Sequence, residues 1–164
     1  MKKILLFILF YFSLELYAWD KLVGEAKDIG IGANNSVWVI GTNSVNGGYG
    51  IYHWNGNTWN SVDGGAVRID VDSRGNPWVV NSSGYIYQRV GGIWERRPGR
   101  ARDIGIGANG SVWVIGTNSV SGGYGIYHWN GNAWNPTSGG ATQVSVGNNG
   151  KPWVVNSLNH IYRR

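Results

Sequence analysis

Eight residues of this chain have side chains suited to holding a sugar, and they fall in two sets. Asn43, Tyr49, His53 and Trp54 form the first, and Asn118, Tyr124, His128 and Trp129 stand 75 positions later. An aromatic face accepts the C–H surface of a pyranose ring, while amides and hydroxyls pair with its oxygens. The two His-Trp pairs become Gln88-Arg89 and Arg163-Arg164 at the matching places elsewhere in the chain. An arginine beside an aromatic suits a carboxylate or phosphate. The same residues also suit the internal packing of an exposed hairpin, and on the sequence both readings stand. Two equal sites on one chain would raise a weak affinity by avidity.

Other chemistry is thinly represented. His53, His128 and His160 are far apart, without the close His, Cys or carboxylate spacing of a zinc site. Asp70-Val71-Asp72-Ser73-Arg74-Gly75 has the start of a calcium loop but not its later acidic ligands. Asp28 and Asp103 are replaced by Arg68 and Gln143 in the other units, and no nucleophile–base set is visible. The expectation is a protein that is not an enzyme and carries no metal or cofactor. Propeller hydrolases with a central metal need polar ligands around the axis, and the first strand of each unit offers mainly Gly, Ile and Ser.

The elements that would position these residues come from repetition. Residues 101–140 repeat residues 26–65 almost word for word. Residues 66–100 are a shorter, diverged version, and 141–164 begin a fourth. Each long unit reads as four short strands. In the first they are residues 28–32, residues 37–40, residues 51–54 and a strand starting at Trp59, with a Gly-rich loop over 42–50. Asn55-Gly56 carries the hairpin signature. Trp38, Trp78, Trp113 and Trp153 recur on the second strand, and Ile-Tyr pairs recur on the third. Residues kept in every unit serve what every unit needs, which is chiefly packing. Four such units predict an all-β propeller of four short four-stranded blades.

The fourth unit stops after its third strand. Trp19 lies 75 positions before Trp94, the fourth-strand tryptophan of the second unit. The reading is therefore a ring closed by residues 19–25, which complete the last blade and remove its open edges. Joining of two chains into a larger ring, each N-terminal strand completing the partner's blade, is the alternative. A monomer or small homo-oligomer is expected.

Composition agrees with strands and export. The chain has 164 residues, ten Trp, nine Tyr, 27 Gly and no Cys. All three Phe and the single Met lie in the first 18 residues. There Lys2 and Lys3 precede an apolar run over 4–14, and Leu16-Tyr17-Ala18 ends in a small residue. This is the pattern of a cleaved secretory signal, so the domain spans 19–164 and no membrane span remains after its removal. The expected location is extracellular or periplasmic. Without cysteine, no disulfide holds the fold. The formal net charge of +5 is mild, tolerates anionic glycans and gives no reason to expect nucleic acid.

The run Ala-Arg-Asp-Ile-Gly-Ile-Gly-Ala-Asn-Gly-Ser-Val-Trp from Ala101 to Trp113, followed by Ile126-Tyr127-His128-Trp129 and Trp134, resembles the tectonin repeat. The resemblance covers essentially all of residues 19–164. It implies a β-propeller and a lectin, with methylated glycans and bacterial lipopolysaccharide among the ligands of the family. Family members commonly have six blades, and this chain has four. The resulting expectation is a secreted, non-catalytic, multivalent lectin for surface glycans, such as O-methylated glycans or lipopolysaccharide. A secreted scaffold for protein–protein interaction is the alternative.

Overall fold

The computed structural model describes residues 19–164, and the signal-type segment 1–18 lies outside the described residues. The first blade is an antiparallel meander of β1 (Ala26–Ile31), β2 (Val37–Val45), β3 (Gly48–Trp54) and β4 (Trp59–Ala66). The second uses β5 (Arg68–Val71), β6 (Pro77–Val80), β7 (Tyr85–Val90) and the first half of β8 (Ile93–Ile106). The second half of β8 opens the third blade, which continues through β9 (Val112–Val120), β10 (Gly123–Trp129) and β11 (Trp134–Ala141). The fourth has β12 (Gln143–Val146), β13 (Pro152–Val155) and β14 (Ile161–Arg163).

The first strands of successive blades touch in turn, β1 with β5, β5 with β8, and β8 with β12. They form the inner edge of an arc. The two middle blades are covered by neighbours on both faces and the end blades on one, so strand two reads as an unbroken apolar run. The core is accordingly divided among the three junctions. Trp38, Ile40, Ile51, Ile69 and Val79 fill the first. Trp78, Val80, Ile86, Ile104 and Val114 fill the second. Trp113, Ile115, Ile126, Val144 and Val154 fill the third. Each fully buried Ile or Val among them stabilises the arc by about 1.5–3 kcal/mol.

The turn at Asn55-Gly56 forms as read. Gly56 has φ +99°, and the Asn55 carboxamide oxygen accepts the N–H groups of Asn57 and Thr58 at 2.9 and 2.8 Å. The stretch 42–50 is not a loop. β2 and β3 run on through it and turn at Asn46-Gly47, with a break in register between Ile40 and Ser44. Asn43 sits in that break with its carboxamide over Gly50, where a Cβ would come within 2.7 Å of Nδ2. The glycines therefore allow a folded amide between strands, which composition alone reads as a loop.

Ring closure also differs from the expectation. β14 pairs with β13 alone, and no strand pairing joins the first and last sheets among the described residues. Residues 19–25 lie in front of the first blade instead. The Trp59 indole N–H donates to the Val23 carbonyl at 2.9 Å. The same contact runs from Trp134 to Pro98 at 2.8 Å, between the third blade and the last strand of the second. Residues 19–25 thus occupy the place of a last strand belonging to a preceding blade. Among the described residues the fourth sheet has three strands, and no strand pairing closes the arc.

Candidate functional site

The inner edge carries more charge than the sequence suggested. Asp28, Asp70 and Asp103 lie on the first strands of three successive blades. Each reaches across a junction to a backbone N–H of the next blade: Asp28 to Ile69 and Asp103 to Val144, both at 2.8 Å, and Asp70 to Ile106 at 2.6 Å. Burial raises all three carboxyl pKa values, and backbone hydrogen bonds only partly offset it. Asp70, with the Asp28 and Asp103 charges also near it, is pushed up to about 6. Arg68 stands 3.5 Å from Asp103. These groups tie blades together. Among the described residues no group of three or more His, Cys, Asp or Glu side chains is placed to hold a metal ion. The calcium-like run is a capped turn, in which Asp72 accepts N–H bonds from Arg74 and Asn76 while Asp70 points to the next blade.

Clefts open between blades at the outer part of each junction. One, of about 440 Å³, lies between residues 22–26 and the first blade and includes Thr42, Asn43, Tyr52 and Trp59. Its equivalent 75 positions on, about 260 Å³, includes Thr117, Asn118, Tyr127 and Trp134. In both, the tyrosine hydroxyl donates to the asparagine carboxamide oxygen, at 3.0 Å from Tyr52 to Asn43 and 2.9 Å from Tyr127 to Asn118. The phenol oxygen keeps its acceptor capacity. The tryptophan is pinned by its N–H bond, Trp59 to the segment before the first blade and Trp134 to the last strand of the second blade. Each cleft therefore has a fixed indole, a phenol and an amide.

The other two junctions form a second pair. The cleft of about 240 Å³ at the first junction includes Asn81, Tyr87 and Trp94. Trp94 donates its N–H to the Asp63 carbonyl at 2.8 Å. The matching cleft at the third junction, about 530 Å³, includes Asn156 and Tyr162, and among the described residues no tryptophan stands at the place of Trp94.

The structure separates the eight residues singled out by sequence. Asn43 and Asn118 line clefts. Trp54 and Trp129 pack tilted against the cleft tryptophans, each 4.9 Å between ring centroids from Trp59 or Trp134. Tyr49 and Tyr124 pack on the core, with Lys27 and Arg102 over their rings at 4.5 and 3.9 Å. His53 lies on Trp38 at 4.4 Å and shares the Ser36 hydroxyl with it. His128 lies on Trp113 at 4.6 Å. Burial lowers both imidazole pKa values, and Arg164 adds to this at His128. Arg89, the counterpart of Trp54, bonds Asp63 at 2.8 Å.

Tyr52, Tyr127, Trp59 and Trp134 were not singled out. The tyrosines belong to Ile-Tyr pairs, whose recurrence in every unit reads as packing, and the tryptophans read as the start of a fourth strand. A site built at every junction leaves the same signal.

The two paired clefts differ in charge. Glu25 borders the first and Arg100 the second, at equivalent positions. Arg100 donates to the Tyr85 hydroxyl at 2.8 Å and also lies over that ring beside Arg96. The Arg100 hydrogen bond and charge lower the Tyr85 pKa. The second cleft thus has a cationic rim. No helix among the described residues is long and apolar enough to cross a membrane.

Residues 65–164 match the family model of the tectonin domain. Tectonin-1 of Physarum polycephalum is 41% identical over 71 residues, 43% of this chain and 30% of that protein. Tectonin-2 of the same organism is 38% identical over 72 residues, 43% of this chain and 19% of that protein. Less than a third of either relative's length is therefore spanned by the match. Among solved structures, YCF48 bound to D1 peptide is similar with a TM-score of 0.53 at 17% identity, over 89% of this chain and 52% of that one. That likeness is one of fold, an all-β propeller arc.

Proposed function

The chain belongs to the tectonin family, and we propose that it is a secreted, non-catalytic lectin that binds surface glycans in its inter-blade clefts. The observation that carries this is the repeated set of a pinned indole, a phenol and an amide at Trp59, Tyr52 and Asn43 and again at Trp134, Tyr127 and Asn118. An indole face covers the apolar side of a sugar ring, and the phenol and amide meet its hydroxyls. An O-methyl group adds apolar surface that an indole would cover. The cationic rim at Arg100 favours anionic glycans such as lipopolysaccharide in the second cleft. Repeated sites make binding to a dense glycan surface multivalent. The signal-type segment 1–18 supports export.

A glycan array including O-methylated sugars and lipopolysaccharides tests this. Binding to a defined set, competed by the free sugar and reduced by Tyr127→Phe with the fold intact, is the expected result. A blank array with folded protein overturns it and leaves a protein-binding scaffold.

A further inference from the structure

The two ends of the arc expose what the middle of the arc buries. At the junction of the second and third blades, Trp78, Val80 and Ile86 pack against Ile104, Ile106 and Val114. Seventy-five positions on, the first three become Trp153, Val155 and Ile161, and 75 positions back, the second three become Ile29, Ile31 and Val39. All six residue types are kept. Trp78 is 3% exposed and Trp153 is 48%, Ile86 is 0% and Ile161 is 69%. Ile104 is 6% exposed and Ile29 is 58%, Ile106 is 8% and Ile31 is 58%, while Val39 stays covered at 6%, beside residues 22–26. The face of the last blade and the face of the first blade are thus the two halves of one interface, which the chain itself already displays in its assembled form.

We infer that two copies of this chain join head to tail, the open face of the fourth blade of each against the first blade of the other, into one closed ring. Burying large apolar residues left open at both ends supplies the drive. The span of the arc sets the number of copies. Most of this chain, 89%, superposes on about half, 52%, of a propeller-like structure, so one further arc of equal span closes the circle. Two such junctions in one ring leave no open end.

The internal junction also predicts the contacts. β7 pairs with β8 through Tyr87↔Arg96 and Gln88↔Glu95. The same register places Tyr162 opposite the partner's Lys21, and Arg163 opposite the partner's Asp20, an opposite-charge pair. β14 thereby gains the neighbour that its exposed edge lacks. Trp78 meets Trp129 and Trp134 edge-on at 6.0 and 6.4 Å. Trp153 meets the partner's Trp54 and Trp59 in the same way. A shallow groove of about 160 Å³ beside Trp153, Val155 and Ile161 receives the partner's Ile29 and Ile31.

The partner also completes a cleft. Among the described residues the cleft at the third junction has no tryptophan where the first has Trp94. In the ring, the partner's Trp19 holds that place, and its N–H faces the Ser138 carbonyl as Trp94 faces Asp63. Trp19, fully exposed in one chain, becomes a wall of a binding cleft.

Light scattering of the purified full chain, in the form the cell processes it, tests the assembly. A mass of two chains is expected, falling to one chain in Ile161→Glu and in Ile29→Glu, with circular dichroism unchanged because both side chains lie at the surface of a single arc. A mass of one chain for the unchanged protein overturns the inference, as does an open series of larger multiples. The chain has no cysteine, so a disulfide reports the register directly. A Lys21→Cys chain mixed with a Tyr162→Cys chain is expected to give a covalent pair on mild oxidation. Absence of that pair, or a cross-link confined to one chain in the double variant, overturns it.

Discussion

Asp70 reaches from the inner strand of the second blade to the backbone of the third, where its Oδ2 accepts the N–H of Ile106 at 2.6 Å. Its other oxygen accepts the N–H of Val71 at 2.8 Å. One carboxylate thus serves two blades at the point where β5 meets β8. The site is buried, so the hydrogen bonds that hold the charge do not repay its desolvation, and the pKa rises to about 6.

That pKa gives the stability a pH dependence of defined sign. The unfolded carboxyl titrates near its ordinary value of 3.8, and the folded one at about 6. The unfolded chain releases its proton first, so stability is greatest below the lower value and falls as pH rises through the higher one. Asp28 and Asp103 shift in the same direction. The size for Asp70 is on the order of 3 kcal/mol at full separation, at about 1.4 kcal/mol per unit. Denaturant midpoints should therefore climb as pH is lowered from 7 to 5. Asp70→Asn, which keeps an acceptor oxygen for Ile106, should flatten that climb. A midpoint indifferent to pH in the unchanged protein would show that the carboxylate is not desolvated.

Backbone geometry predicts a contrast between two glycines. Gly48 has φ +136°, and a Cβ there would lie 2.6 Å from the Ala66 carbonyl oxygen. Gly56 has φ +99° at an open hairpin tip with nothing within 4 Å. Gly56→Ala meets only the torsional cost, roughly 1 kcal/mol. Gly48→Ala adds a clash with rigid backbone at the turn that brings β2 and β3 together, and should cost more than twice as much. Equilibrium urea unfolding of both variants checks the order, and equal losses would refute it.

The two glycines also mark how far the sequence could be read. Blades were legible because Trp38 and its three counterparts, with the Ile-Tyr pairs, recur in register, and a propeller needs the same packing at each junction. The hairpin over 42–50 was not legible, because Gly and Asn there report turn chemistry whether the chain wanders or doubles back. Asp70 is offset from Asp28 and Asp103 within its unit, so repetition hid their shared role across the inner edge. Trp19 matches the last-strand Trp94 in repeat spacing, but in the single chain it is exposed and outside any strand. Which blade it completes depends on the span of the arc, which no local pattern encodes. In the candidate site, the long-unit amides were found by their absence from the short units. Tyr52 has a counterpart in every blade and Trp59 in two others, a recurrence that packing explains as readily as a cleft repeated from junction to junction.

The cleft reading predicts separable effects on binding and folding. Tyr127→Phe removes the hydroxyl that donates to Asn118 at 2.9 Å, a loss of about 0.5–1.5 kcal/mol in stability at most. The same change removes the phenol oxygen from the cleft. Glycan affinity at that junction should fall several-fold while the thermal midpoint moves little. Tyr124→Phe, at a ring that packs on the core beneath Arg102, should leave affinity unchanged. Isothermal titration with the ligand found on the array separates the two. Equal loss in both variants would place the ligand away from the cleft.

Charge should divide the equivalent clefts between ligands. Arg100 borders one and Glu25 the other at the same place, with the rest of the lining largely repeated. An anionic glycan should therefore bind the Arg100 cleft in preference, with an affinity that weakens as salt is raised. Arg100→Glu makes the two clefts alike and should abolish the preference, lowering the number of sites seen by titration. Glu25→Arg should do the reverse and add a second site for the same ligand. A neutral O-methylated sugar should respond to neither change. If Arg100→Glu instead weakens neutral and anionic ligands equally, its contact with Tyr85 shapes the cleft and its charge does not select the ligand.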